Sequence, residues 1–161
     1  MTDSTEKLTD LSELGEFGLI NLLTKDIKPL HSSTLCGVGD DAAVIQQEKG
    51  KVMLISKDLL VEGIHFDMVY TPLKHLGYKA AVVNISDIIA MNGTPKQMLI
   101  GLAVSSKFST QAIEEIYSGI KKACEVYKVD LVGGDTTSSI SGLVLSITIL
   151  GEADPENVVY R

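Results

Sequence analysis

Among its 161 residues the chain has no tryptophan, two cysteines, three phenylalanines and four prolines, and the scarcity of cysteine already excludes a class of protein. Cys36 and Cys124 are too few and too far apart for a disulfide framework. Together with His31, His65 and His75 they offer no zinc-ligand spacing. One bridge is the most they allow, and a reduced, intracellular protein is the simpler reading. Basic residues are also short, 14 against 21 acidic, for a net charge of −7. A nucleic-acid backbone is not bound by a surface of that sign. No apolar run approaches the ~18 residues of a membrane helix. The start, Met1-Thr2-Asp3-Ser4-Thr5-Glu6, has the wrong charge for a secretory signal. The expected location is therefore the cytoplasm, with no membrane and no nucleic-acid partner. Several chemical signatures are missing too. There is no G-x-x-x-x-G-K-S/T phosphate loop, no G-x-S-x-G nucleophile elbow and no D-x-D-x-D-G calcium loop.

What is present is a 45% hydrophobic chain with 22% charged residues, enough for one globular domain with a real core. It is organised around Gly37-Val38-Gly39-Asp40-Asp41-Ala42-Ala43-Val44. The glycines allow a sharp turn close to a ligand. Two carboxylates about 4 Å apart repel by about 4 kcal/mol at an effective dielectric near 20, so the pair calls for a cation. Asp58 follows an apolar run, Asp87 sits in an apolar helix and Asp135 follows Gly133-Gly134. Asp40, Asp41, Asp58, Asp87 and Asp135, with Ser56, Thr136 and Thr137 as further oxygens, form the donor set that Mg²⁺ prefers. Each also has a plain structural reading. Asp40-Asp41 and Gly133-Gly134-Asp135 suit turns, Asp58 suits a strand end, and His65 and Tyr117 suit surface or core packing. Asp87 resists that treatment, because an unpaired carboxylate in an apolar helix is costly.

Periodicity predicts a polar, flexible start over 1–11 and a folded domain over 12–161. Within it, a helix over 13–27 is capped by Ser12 and carries Leu14, Phe17, Ile20, Leu23 and Ile27 at helical spacing. Strands at 42–47 and 51–57 are expected to form a hairpin, and 62–70 to be irregular. Thr71-Pro72 is expected to cap a buried helix ending near Met91, before Asn92-Gly93. A strand over 96–104, a helix over 110–127 behind Ser109, a short strand at 129–132 ending at Gly133, and a half-buried strand over 143–149 complete the reading. The order favours an α+β fold, a mixed sheet with helices on one face. The abrupt stop at Val158-Val159-Tyr160-Arg161 is expected to mark part of a longer polypeptide.

Taken together, the segments resemble the thiamine-monophosphate kinases of the aminoimidazole-ribonucleotide-synthetase-like superfamily. The resemblance is carried by Gly15-Glu16-Phe17, Gly37-Val38-Gly39-Asp40-Asp41-Ala42-Ala43, Ser56-Lys57-Asp58, Val61-Glu62-Gly63-Ile64-His65-Phe66, Val83-Asn84-Ile85-Ser86-Asp87, Ala90-Met91-Asn92-Gly93 and Gly133-Gly134-Asp135-Thr136-Thr137. It implies the N-terminal domain of that fold, a homodimer closed through a β-barrel, and ATP-dependent phosphorylation of thiamine monophosphate by direct in-line transfer with several Mg²⁺ ions. It further implies Asp41, Ser56, Asp58, Asp87 and Asp135 as metal ligands. Gly134, Asp135, Tyr117 and Arg161 would lie at the nucleotide, and His65 at thiamine monophosphate. Two departures stand out. Lys57 replaces the family's threonine, so it either touches phosphate or points away, and the family's C-terminal domain is absent. The competing readings are a cation-binding dimerisation module without turnover, and another ATP-dependent member such as a selenophosphate synthetase.

Overall fold

The computed structural model describes residues 11–38 and 43–160. In chain order the elements are α1 (Leu11–Thr24), β1 (Thr34–Cys36), β2 (Val44–Ile45), β3 (Val52–Val61), α2 (Leu73–Ala90), β4 (Thr94–Val104), α3 (Thr110–Tyr127), β5 (Asp130–Ser138) and β6 (Val144–Ala153), followed by a 3₁₀ turn at Pro155–Asn157. The alternation seen in the sequence is realised in β6, where Leu145, Ile147 and Ile149 are fully buried and Ser146 and Thr148 face the other way. β6 lies inside a four-stranded sheet of order β3-β6-β4-β5, antiparallel except for the β4–β5 pair. That parallel pair is joined through α3, as its geometry requires. The α+β expectation holds, with α2 and α3 packed against one face.

α3 begins where Ser109 accepts the backbone N–H of Ala112 at 3.2 Å, and ends at Lys128 in the left-handed region. It crosses α2 at backbone contact. A Cβ on Gly77 would stand 1.9 Å from the Ile116 carbonyl oxygen, and one on Gly119 at 1.9 Å from that of Lys74. Only glycine permits this approach. Ile113, Ile116 and Ile120 of α3 meet Leu76, Ala80, Ala81 and Ile85 of α2 in the core.

Several expectations are corrected. The hairpin predicted between 42–47 and 51–57 does not form: β2 pairs with β1, and β3 pairs with β6. Partner choice here is a long-range matter that local turn chemistry does not reveal. β5 does not stop at Val132 but runs through the glycines to Ser138, because the close β4 backbone beside Gly134 accepts a residue without a side chain. α1 is kinked at Gly15 and buries Leu19 and Leu23, leaving Phe17 in solvent. α2 is preceded by Pro72 with no side-chain cap, so Thr71 does not play that role.

Candidate functional site

β1 and β2, which flank the Gly-Asp-Asp stretch in the sequence, pair antiparallel. Asp40, Asp41 and Arg161 lie outside the described residues. Val38, after β1, and Ala43, before β2, lie on a cleft of about 430 Å³ beside β5. Phe17, Ile20, Tyr117, Leu131 and Val132 give it apolar walls, and Gly133, Gly134, Asp135 and Thr136 form its polar end. Three of the predicted nucleotide residues, Tyr117, Gly134 and Asp135, thus meet in one place. At Gly134 (φ 158°) an added Cβ would lie 1.9 Å from the Ile100 carbonyl oxygen, so the strand is pressed against β4. Tyr117 is buried, and burial pushes its phenol up to about 12.

A second group of predicted ligands sits at the opposite edge. Ser56 and Asp58 alternate onto the helix-facing side of β3. The Ser56 hydroxyl donates to Asp87 Oδ2 at 2.6 Å. Asp87 is exposed rather than buried, which corrects the expectation drawn from its apolar neighbours. Its near neighbour Asn84 is the fully buried one, donating to the Ala80 carbonyl at 3.1 Å, while its own Oδ1 finds no partner among the described residues. The apolar surround of α2 is real only up to Ile88; Ile89 is half exposed. Lys57 points away from this group and donates to Ser146 Oγ on the other face.

Among the described residues the two groups do not merge. Asp58 is in register with Ile147, Ile147 with Ile100, and Ile100 with Gly134, so three strand spacings of roughly 4.8 Å separate Asp58 from the β5 edge. Among the described residues no three His, Cys, Asp or Glu side chains stand close enough to hold one metal ion. The donors are nevertheless the right kind for Mg²⁺, which uses one or two carboxylates together with water and substrate phosphate rather than a protein cage.

His65 occupies an exposed turn after β3. Its Nδ1 accepts the Val61 N–H at 3.1 Å, which leaves the proton on Nε2, and its carbonyl accepts from Lys79 Nζ at 3.1 Å. Glu62 ties this turn to the sheet. Its N–H donates to the Leu143 carbonyl at 3.0 Å, and its Oε2 accepts the Leu143 N–H at 2.8 Å. Reading the sequence missed Glu62 and also Asp130, a buried carboxylate at the start of β5. The signal for Asp130 was available: a charge inside the apolar run Val129–Val132.

Comparison with known proteins adds to this geometry. Residues 39–153 match the family model described as AIR synthase related protein, N-terminal domain. A thiamine-monophosphate kinase of Bacillus subtilis (strain 168) is 41% identical over 148 residues, 92% of this chain and 45% of that protein. The chain therefore spans less than half the length of this relative. Among solved structures, the thiamine-monophosphate kinase of Stenotrophomonas maltophilia K279a superposes with a TM-score of 0.73 at 30% identity, covering 87% of this chain and 42% of the other. AaThiL complexed with AMPPCP and TMP gives 0.63 at 38% identity, covering 94% and 45%.

Proposed function

The chain belongs to the AIR synthase related proteins, and we propose that it is the N-terminal, nucleotide- and Mg²⁺-handling half of a cytoplasmic thiamine-monophosphate kinase. The observation that carries this reading is the meeting of Tyr117, Gly134 and Asp135 on one cleft with Val38 and Ala43, which flank the Gly-Asp-Asp stretch in the sequence. The identity to kinases of that name, over nearly the whole chain, supports the choice of substrate.

The proposed reaction passes the γ-phosphoryl group of ATP directly, in line, to the phosphate of thiamine monophosphate. Both reactants are anions, so positioning and charge neutralisation are the main tasks of the protein. The apolar walls of the cleft, Ile20, Tyr117 and Leu131, accept the base of the nucleotide. The Gly133-Gly134 backbone allows close approach of the phosphates, and Asp135 and Thr136 stand at that end. Asp41, Ser56, Asp58, Asp87 and Asp135 are the residues that would hold Mg²⁺, whose charge would offset that of the phosphates. His65, with its proton fixed on Nε2, donates a hydrogen bond to the phosphate of thiamine monophosphate. Lys57 takes no part, since it is engaged on the other face of the sheet.

That other face supports a homodimer. Met53, Ile55 and Leu59 line it along β3 with 41%, 65% and 52% of their surface in solvent, and a second copy closing a barrel over them would bury an apolar stripe.

The test is ³¹P NMR with Mg²⁺, ATP and thiamine monophosphate. A protein of the relatives' full length should form thiamine diphosphate and ADP, while the 161-residue chain alone should broaden the ATP resonances in the presence of Mg²⁺. Resonances unchanged in both samples would overturn the assignment.

A further inference from the structure

We propose that Asp130 is a positioning residue that fixes the β1–β2 pair against β5, and so sets Val38 and Ala43 across the cleft from Gly134 and Asp135. Asp130 is only 2% exposed. Its Oδ1 accepts the Leu30 N–H at 2.5 Å, and its Oδ2 accepts the His31 N–H at 3.1 Å and the Thr34 hydroxyl at 2.6 Å. Thr34 is the first residue of β1, which pairs with β2. Thr34 Oγ1 in turn accepts from Gln97 Nε2 at 3.0 Å, and the same amide donates to Ser33 Oγ at 3.0 Å. Gln97 is the β4 residue in register with Asp130. The ring of His31 closes the set through Nε2 to the Lys128 carbonyl at 2.6 Å.

The loop from Leu30 to Thr34 is therefore held to the start of β5 by a carboxylate whose three recorded donors are N–H and O–H groups. A carboxylate suits this place because it only accepts. An asparagine would turn an N–H₂ toward one of three donors, and a buried donor without an acceptor is costly. Asp130 and Asp135 lie on the same strand, about 16 Å apart at 3.3 Å per residue, so Asp130 touches no reactant. It acts by giving the β1–β2 pair and the far end of β5 a common origin. Cleft residues on both sides, Val38 and Ala43 beside the β1–β2 pair and Gly133–Thr136 from β5, then face each other across a fixed gap.

This inference rests on the reading of Asp41 and Asp135 as Mg²⁺ and phosphate residues, and two readouts keep the two apart. The first needs no activity. Amide hydrogen exchange of the 161-residue chain should rise in Asp130→Asn over residues 34–38 and 43–45 by about tenfold, with the β3–β6 ladder still protected. Equal loss of protection throughout the sheet would make Asp130 a general stability residue and overturn the proposal. Thr34→Val removes a single donor and should reproduce the local effect, while Thr34→Ser should restore protection. Loss of protection in Thr34→Ser equal to that in Thr34→Val would also overturn it. The second readout uses a protein of the relatives' full length. In Asp130→Asn the Mg²⁺ concentration for half-maximal rate should rise about tenfold, with KM for thiamine monophosphate unchanged and excess Mg²⁺ restoring kcat. An unchanged Mg²⁺ dependence alongside altered exchange in the β1–β2 pair would refute the link to the metal aspartates. Wild-type protein without turnover would instead refute the kinase reading and leave the exchange experiment to decide on Asp130.

Discussion

Along β5 the edge of the sheet is met by the rest of the chain. The β1–β2 pair is clasped to it through Asp130, and α1 and Tyr117 wall the cleft beside it. Along β3 the opposite edge has, among the described residues, backbone pairing on one side only, and its outward residues Met53, Ile55 and Leu59 stand in solvent. The β5 edge brings its backbone within contact distance of β4, whereas the β3 edge keeps ordinary alternation and carries Ser56 and Asp58 on its helix side. The contrast separates two ways of holding a functional group. Near β5 the protein fixes groups by its own packing; near β3 it presents donors on an edge that a second surface can still complete.

The strongest blow to this contrast is Gly134→Ala. Its Cβ would meet the Ile100 carbonyl oxygen at 1.9 Å, so β5 must separate from β4, at a cost of about 3 kcal/mol or more. Gly133→Ala, one residue earlier, meets only the Leu99 side chain at 3.8 Å and should cost under about 1 kcal/mol. Urea midpoints for the two variants would separate a packed edge from a merely glycine-rich one.

Alkaline pH should sharpen the same point. Burial, with the charge of Asp130 adding to it, pushes the Cys124 thiol from 9.0 up to about 12, and burial alone pushes the Tyr117 phenol from 10.0 to about 12. Both groups fold as neutral acids, so an unfolded chain gives up their protons first. Their stabilisation is complete below about pH 9. It falls as pH rises toward 12, by up to about 1.4 kcal/mol per unit for each group in turn. Cys124→Ala should flatten the stability curve between pH 9 and 10, as followed by denaturant titration; a slope unchanged by that substitution would remove Cys124 from the account.

At the β3 edge the expected effects on folding are smaller and those on binding larger. Ser56→Ala removes the donor to Asp87 Oδ2, but the carboxylate is exposed and regains water, so stability should drop by less than about 1 kcal/mol. Asp87→Asn should abolish Mg²⁺·ATP binding measured by calorimetry, and an unchanged affinity would strip Asp87 of its assigned role. The smallest effect on the chain itself is expected for Ile55→Thr. With 65% of Ile55 already in solvent, monomer stability should change by no more than about 0.5 kcal/mol. Light scattering should nonetheless show a shift toward monomer, and a wild-type chain that is already monomeric at micromolar concentration would refute the proposed dimer.

Much of this architecture was legible in the residues. α3 could be read from Ser109 through the isoleucine spacing, and β6 from its strict alternation, because both signals are local and the core enforces them. What failed was non-local. Nothing near residues 42–57 reveals that β3 pairs with β6, since strand partners are chosen by packing of the whole sheet. Asp87 was misjudged because an apolar surround in sequence says nothing about whether another element covers it; the last turn of α2 passes beyond the packed core. The cleft proposed for the nucleotide was legible only as separate pieces, Tyr117 on a helix and Gly134-Asp135 on a strand, and the fold supplied their meeting. Asp130 was missed for the opposite reason. Its role depends on three donors from a loop about 100 positions earlier, which no spacing rule connects to it.

The strand order carries a consequence in time. β3 finds its hydrogen-bonding partner in β6, about 80 to 100 positions further along the chain. At synthesis rates of about 5–20 residues per second, β3 waits roughly 4–20 s with both of its edges unsatisfied and Met53, Ile55 and Leu59 bare. Over that interval a nascent chain can pair with another nascent chain instead. Soluble yield should therefore respond to growth temperature and holdase supply far more steeply than the equilibrium stability of the finished domain does.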